Sequence, residues 1–585
     1  MPPPADGVWG EAPSVKGKLM IDTKAKINQM VLEALGRLVA REAVPAEPLP
    51  AFTIEMPANS ANGDFSCNAA LVSAKVLKLP PRKIAELICE ELDTSEGGTQ
   101  VDKVEIAGPG FINFFMGGEW YNQAVRRVHE QGGGYGGSGF GSGKRVLLEF
   151  VSANPTGPMH IGNARGGALG DCLAALLAFA GYYVEREFYV NDAGNQIEKF
   201  ALSLDIRYRQ ELGEDVEMPE EAYQGEDITA HARKFIDIHG DKYLNVPETE
   251  RKQALVDYAL PLNIQALRED LEKYRIEYDT WFKESTLHQT KAVEEIIEKL
   301  KASGQTYEQE GALWLKTTQY GDEKDRVLVR SNGVATYFVP DIAYHYNKLV
   351  SRNFDIAVDI LGADHHGYLP RMNAALSALG IEPDRLKMII MQMVRLVRGG
   401  ETVKLSKRSG KAITLTTLLD EVPVDAARFF FNLRDANTHL DFDLDLAIEE
   451  TSKNPVYYVQ YAHARIKSVM RRLEDELGIA TTATATASER DFADLTYTHD
   501  AEKDLIRKLA CLPQEVTEAA KAFEPSRLTR YVTETAQLFH KFYDSCRVKG
   551  EQEAVMSSRL ALMEATGIVI RNLLGIMKVD APERM

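Results

Sequence analysis

From Arg145 onward the chain alternates short apolar runs with helical patterns, and that alternation limits its fold more than any other feature. RVLLEFV reads as a buried parallel strand, and GNARGGALGDCLAALLAFAGY as a small-residue helix able to pack closely on a sheet. EREFYV reads as a second strand; ATYFVP, FDIAVDILGAD and MIIMQMV follow as further strands, spaced by helical stretches such as RMNAALSALG. Such alternation predicts an α/β domain built on a Rossmann-type, doubly wound parallel sheet, with ligands at the carboxyl ends of its strands. We assign it residues 145–453, with the polar helical region from about 196 to 275 as an insertion.

A chain of 585 residues is too long for one core, and its flanks read differently from its centre. Residues 1–20 are rich in Pro and Gly and read as a flexible tail. Residues 21–130 combine helical periodicity (Ile27, Met30, Val31, Ala34, Leu35, Leu38) with the strand-like KVEIAGPGFINFFM, which predicts a separate α+β module. The glycine-rich stretch 131–144 contains a formal G-x-G-x-x-G at Gly134, Gly136 and Gly139. A dinucleotide fingerprint must open a helix, whereas the next segment here is itself a strand, so the stretch reads as a flexible linker. Nor is GSGKR a P-loop, since Arg145 stands where Ser or Thr would meet magnesium. From Asn454 strands disappear and long amphipathic helices remain, an all-α module over 454–585, with TTATATAS (481–488) as an exposed loop.

The net charge of −18 at first argues against a nucleic-acid partner. Its distribution removes the objection, because residues 454–585 hold 18 Lys and Arg against 19 Asp and Glu. A nearly neutral module can carry a basic face while acidic surface elsewhere repels non-specific RNA. The five cysteines are scattered, with no C-x-x-C pair, which argues against a disulfide framework or a zinc site. No apolar run approaches the roughly 20 residues that span a bilayer, and no charged start leads into a signal core. A cytoplasmic protein with no membrane attachment is expected.

The first chemical motif is SANPTGPMHIGN (152–163), between the first strand and its helix. A helix N-terminus favours phosphate, His160 can donate to the α-phosphate, Gly162 lets adenine approach the backbone, and Asn163 offers an amide. The second is VKLSKRSGK (403–411), where Lys404, Lys407 and Arg408 crowd one loop; such a cluster suits charge on a departing pyrophosphate. HIGN followed far downstream by KLSKR resembles the HIGH and KMSKS signatures of class I aminoacyl-tRNA synthetases. SANPTGPMHIGNARGGALGD, FYVNDAGNQI, GADHHGYLPR, NPVYYVQYAHARI and the terminal DAPERM further resemble the arginyl-tRNA synthetase family, and the likeness covers nearly the whole chain after about residue 20. Two positions depart from the signatures: Asn163 replaces the last His of HIGH, and Leu405 replaces the Met of KMSKS. Asn keeps a hydrogen-bonding side chain and Leu conserves volume, so activity should survive both.

The resemblance implies an enzyme that activates L-arginine with ATP and Mg2+ and loads it onto tRNA(Arg), without an organic cofactor or structural zinc. His160, Asn163, Lys404 and Lys407 are the expected catalytic set. ATP would meet His160, Gly162, Asn163, Gly362, Asp364, Lys404, Lys407 and Arg408; the ribose hydroxyls suit Asp364 in GADHHG. A planar guanidinium is best held by paired carboxylates, and the family's side-chain contacts fall on Glu284, Tyr337 and Asp341. Asn154, His160 and His365 would take the main-chain end of arginine, with Glu149 a further candidate. The Asp–His–His run of GADHHG does not read as a metal site, because adjacent residues on one turn rarely converge on an ion. For tRNA, Tyr457, Tyr458, Tyr461 and Arg465 are candidates in the helical module, expected to bind the anticodon. Phe65 and Asn68 are candidates in the N-terminal module, expected to touch the tRNA elbow. Family members are expected to be monomers. A lysine-specific synthetase is the nearest alternative, since an acidic pocket attracts either cation. A small-metabolite nucleotidylyltransferase would have no reason to carry the helical third.

Overall fold

The computed structural model describes residues 19–48, 50–57, 59–92, 100–365, 367–403, 413–477 and 495–585. At its centre lie five parallel strands: β1 (Arg145–Glu149), β2 (Tyr183–Val190), β3 (Thr280–Lys283), β4 (Ile356–Gly362) and β5 (Leu386–Met391). Their order is β5-β4-β1-β2-β3, so the chain reverses its direction of winding between β1 and β4. Loops leaving the carboxyl ends of those two strands diverge there and open a crevice. Val146, Leu147 and Leu148 are fully buried, as expected of a strand covered on both faces. The helix Ile161–Phe179 after β1 packs closely because it presents glycines: a Cβ on Gly170 would lie 2.3 Å from Phe150 Cγ.

One expected strand is absent. ATYFVP supplies a single bridge residue, Ala335, and then opens the helix Phe338–Tyr346. Pro340 is compatible with a first helical turn, where its missing N–H has no partner to lose, and Phe338, Val339 and Ile342 form the buried face. Helices Asn195–Glu211, Glu226–His239 and Glu248–Lys273 form the insertion between β2 and β3, around an apolar cluster of their own that includes Phe200, Leu204, Tyr208 and Phe235. A second excursion, between β3 and β4, holds a helix (Ala292–Ala302) and a three-stranded antiparallel sheet.

The N-terminal module joins a four-stranded antiparallel sheet to helices, the first of which buries Ile27, Val31, Ala34, Leu35 and Leu38 at the predicted spacing. Among the described residues, five helices from Pro455 to Ile576 form the C-terminal module. The glycine-rich stretch is packed rather than loose. A Cβ at Gly136 (φ +99°) would lie 2.7 Å from Leu512 Cδ2, and one at Gly141 2.5 Å from the Tyr182 amide nitrogen. The Asn572 side chain donates to the Gly132 and Tyr135 carbonyls. Glycine serves here for close approach, not slack.

The C-terminal segment also returns to the central domain. Arg428, fully buried, donates to Asp171 on the Ile161–Phe179 helix (2.5 Å), to the Tyr274 carbonyl (2.9 Å) and to the Met577 carbonyl (2.7 Å). Lys578 reaches Asp171 Oδ1 at 3.1 Å. Burial opposes a charge on Asp171, but Arg428, Lys578 and Arg186 outweigh it and hold the carboxyl below its usual range. Among the described residues no helix is long and apolar enough to cross a membrane.

Candidate active site

Beyond β1 the backbone turns through Val151 (φ +69°) and Ser152 (φ +39°), a left-handed conformation that a β-branched residue rarely adopts. Ser152 holds this turn in place: its Oγ donates to Glu149 Oε1 (2.9 Å) and accepts from the Tyr189 amide on β2 (3.1 Å). The loop then passes Asn154, exposed, and reaches His160, which caps the Ile161–Phe179 helix. Asn163 Oδ1 accepts from the His160 amide at 3.0 Å, so its first task is to cap the helix. Gly162 keeps an open flank, with nothing within 4 Å of a Cβ placed there. Ser152, Asn154, His160 and Asn163 line a cleft of about 520 Å³ whose other wall is the insertion, through Tyr223, Gln224 and Asp227. The insertion is tied down by Asn263, whose amide donates to the Pro155 carbonyl (3.0 Å).

Lys404, Lys407 and Arg408 lie outside the described residues. The chain after them is laced to the first motif: the Ile161 amide donates to the Ile413 carbonyl (3.1 Å), and the Leu415 amide to the Met159 carbonyl (3.0 Å). His160 thereby pairs with Thr414. The described residues that follow the second signature thus lie beside the first, more than 200 residues away in sequence.

At the carboxyl ends of β2 and β3 the structure brings Glu284 and Asp341 into one electrostatic neighbourhood. Glu284 follows β3, its amide donating to the Val190 carbonyl (3.0 Å), and Asp341 sits in the first turn of Phe338–Tyr346. Burial pushes the Glu284 carboxyl up to about 7; Tyr189 donates a hydrogen bond that opposes the rise, and the charges of Asp341 and Asp192 add to it. Asp341 is raised as well, chiefly by burial, against a hydrogen bond from Tyr368 and the charges of His345 and Arg371. Tyr337 begins the same helix and is 65% exposed, its ring close to Gly194. His365 is about half exposed, 3.6 Å from Asp364 and one ring away from Tyr368. Gly362 allows Asp364 to fold back, since a Cβ there would meet Asp364 Oδ1 at 2.8 Å.

Glu149 is bonded within the sheet beside this pair. It stands directly beside Asp359 of β4 and Glu187 of β2 in register, which makes a row of three carboxylates across the sheet. Lys348, fully buried in a π-helical turn, joins Glu149 (2.5 Å) to Asp359 (2.8 Å). His345 links Asp359 (2.7 Å) to the Asp341 carbonyl (2.8 Å), the Tyr344 hydroxyl reaches Glu187 at 2.6 Å, and Arg352 pairs with Glu187. Burial works against the Lys348 charge, but the three acids raise its pKa above the usual lysine value. Row and cations together form a rigid base under Asp341 and under the Ser152 turn.

Sequence reasoning missed Ser152, Tyr189, Asn191, Tyr344, His345, Lys348 and Tyr368. Most read as ordinary strand or helix filling, and the one available signal was the cluster of polar groups in FYVND and DIAYHYNK.

Of the RNA candidates, Phe65 is corrected: it is fully buried, edge-on to Trp120 at 5.8 Å, and belongs to the N-terminal core. Asn68 Oδ1 accepts from the Thr53 amide (2.8 Å) at the start of a helix. Tyr457 and Tyr461 stack with rings 6.2 Å apart, Tyr458 lies against His540, and Arg465 rests over the Tyr461 ring at 4.7 Å. Burial raises every cysteine thiol, to about 11 at Cys67, Cys89 and Cys511 and about 12 at Cys172.

Comparison with known proteins gives three family matches: an arginyl tRNA synthetase N terminal domain over residues 25–116, a class I (R) tRNA synthetase catalytic domain over 131–468, and a DALR anticodon binding domain over 459–585. The arginine–tRNA ligase of Caldanaerobacter subterraneus subsp. tengcongensis is 52% identical, over 96% of this chain and 99% of the relative. That of Ruminiclostridium cellulolyticum is 50% identical over the same shares. The solved Thermus thermophilus arginyl-tRNA synthetase shares the fold, with a TM-score of 0.72 at 20% identity, over 96% of this chain and 100% of that one.

Proposed function

This chain belongs to the arginyl-tRNA synthetase family and joins L-arginine to tRNA(Arg) at the expense of ATP, and from that premise we propose how its residues divide the work. Glu284 and Asp341 take the guanidinium, with Tyr337 closing over it, and Asn154, His160 and His365 take the main-chain end. The observation that carries this reading is a pair of acids whose charged forms are both disfavoured. Each is pushed up by burial, and Glu284 is raised further by Asp341, so a planar cation between them relieves both penalties.

ATP enters as its magnesium complex along the His160–Asn163 helix start, with Gly362 and Asp364 at the adenosine. The arginine carboxylate attacks the α-phosphorus; a P–O bond forms and pyrophosphate leaves, its charge met by His160, Lys404, Lys407 and Arg408. Asn163 keeps the helix start, and so His160, in position. A ribose hydroxyl at the tRNA 3′ end then attacks the arginyl carbonyl and AMP departs. No protein nucleophile is required, because alignment and charge stabilisation account for the chemistry. Tyr457, Tyr458, Tyr461 and Arg465 offer stacking and a cation to the anticodon, and Asn68 to the elbow. The enzyme works as a cytoplasmic monomer without structural zinc; thiols held protonated by burial are poor zinc ligands.

Asp341→Asn tests the pocket. Loss of a charge-assisted contact should raise the KM for arginine about 10- to 100-fold while the KM for ATP moves less than about twofold. Equal shifts in steady-state aminoacylation would remove Asp341 from guanidinium recognition.

A further inference from the structure

Tyr189 has no part in the division of work above, yet it stands among the pocket's acids. Its hydroxyl donates to the Glu284 carboxylate and lies within the fields of Asp341 and Glu149. The register explains why. Tyr189 on β2 pairs with Phe282 on β3, and Glu284 follows the end of that strand, its amide bonded to Val190, the residue next to Tyr189. The ring is clamped, 6.1 Å from Phe282 and nearly parallel to it, and 4.6 Å from Tyr344 on the helix that carries Asp341. Its backbone is held too, by the amide bond to Ser152 Oγ. Few freedoms remain to the hydroxyl.

We propose that Tyr189 is a positioning residue for arginine: its fixed hydroxyl aims the Glu284 carboxylate at the seat of the guanidinium before the substrate arrives. The inference rests on the reading of Glu284 and Asp341 as the guanidinium pair. Asn191 shares the task once its amide is turned to the orientation its neighbours satisfy, in which it donates to Glu284 Oε2 at 3.1 Å and to the Ala193 carbonyl at 2.8 Å. Two donors supplied by the protein leave the remaining lone pairs of Glu284 for the ligand. The other charged groups facing this centre are Asp192, bonded to Ser285; Asp341, balanced by His345 and Arg371; and Glu149, balanced by Lys348. None of the three acids can donate to Glu284 while ionised. The hydrogen bond from Tyr189 favours the charged carboxylate against burial, so removing it raises the proton affinity of Glu284 further.

The test is steady-state aminoacylation by the full chain across about pH 6.5 to 9, comparing wild type with Tyr189→Phe and Glu284→Gln. Tyr189→Phe keeps the ring against Phe282 and Tyr344. Its KM for arginine should rise about tenfold near neutral pH and by less than about threefold at the alkaline end. Its kcat at saturating arginine and its KM for ATP should stay within about twofold of wild type. A rise of equal size at every pH, or an equal rise for ATP, overturns the proposal, because loss of packing alone would act that way. Should the phenylalanine variant melt early, 3-fluorotyrosine at position 189 provides the second arm. A stronger donor of nearly the same shape, it should shift the arginine profile toward acid, and a shift toward alkali overturns the idea. Glu284→Gln separates the two readings: an unchanged arginine KM there removes the guanidinium pocket itself. A raised KM there beside a pH-flat Tyr189→Phe removes only the role of Tyr189.

Discussion

Glu284 titrates near 7, within the range in which the enzyme would work, and this has a consequence for the unmodified protein. Only the anion attracts a guanidinium, and with a raised pKa the anion is lost as pH falls through about 7. Arginine affinity should therefore be full above that point and decline below it, the KM approaching a tenfold rise per pH unit in the limit where one proton competes with the ligand, about what a single titrating group can impose. Measuring the KM for arginine and for ATP from pH 8.5 down to about 6 checks this, since the ATP value should not follow the arginine curve. At this scale the sequence was legible where a residue type has a single strong use. Glu284 and Asp341 stand out because a cation-selective site needs acids, and the charge of Asp341 does reach Glu284. Tyr189 did not stand out, since an aromatic in EREFYV reads as strand filling. Phe65 shows the opposite failure: an aromatic in a module expected to bind RNA suggested a stacking surface, and only its burial against Trp120 tells otherwise. Asn163 makes sense of one departure from the HIGH signature, because the helix start needs an acceptor and an amide supplies one.

Among the elements, the turn at Val151 and Ser152 does most to shape the site. Two non-glycine residues at positive φ cost on the order of 1–3 kcal/mol each, and they persist because bonds to Glu149 and Tyr189 over-determine them. Ser152→Ala removes both bonds and leaves a buried amide and a carboxylate oxygen short of partners. It should lower stability by about 1–3 kcal/mol and reduce kcat as well as arginine affinity, because the same turn aims Asn154 and His160. Urea unfolding beside steady-state kinetics reads both effects, and a stable variant with unaltered kinetics would show that the turn needs no such tether. Four of the five central strands were legible from periodicity, but β3 and the antiparallel strands of the second excursion were not, and ATYFVP was misread. There a β-rich composition favoured a strand, while burial of Phe338, Val339 and Ile342 on one helical face decided the outcome. The row Asp359–Glu149–Glu187 could not have been foreseen, since it depends on the registers of three strands far apart in the chain.

For the molecule as a whole, the fully buried Arg428 is the main point of junction. Breaking a buried ion pair from one side leaves its partner uncompensated, so Arg428→Met should cost about 3–5 kcal/mol, seen as a lower urea midpoint. A midpoint within error of wild type would mean that Asp171 is satisfied by Lys578 and Arg186 alone. A catalytic core flanked by an N-terminal and a helical C-terminal module was legible as shifts in pattern, but the contacts between modules were not. Glycines 132–144 looked like slack and prove to be a fitted seam, because close approach leaves no mark in sequence other than the small residue itself. Lys578 meets an aspartate 407 positions earlier, and the carbonyl before it occupies the Arg428 Nε. On a growing chain, the buried guanidinium therefore lacks one acceptor, and Asp171 one cation, until Met577 and Lys578 have been added.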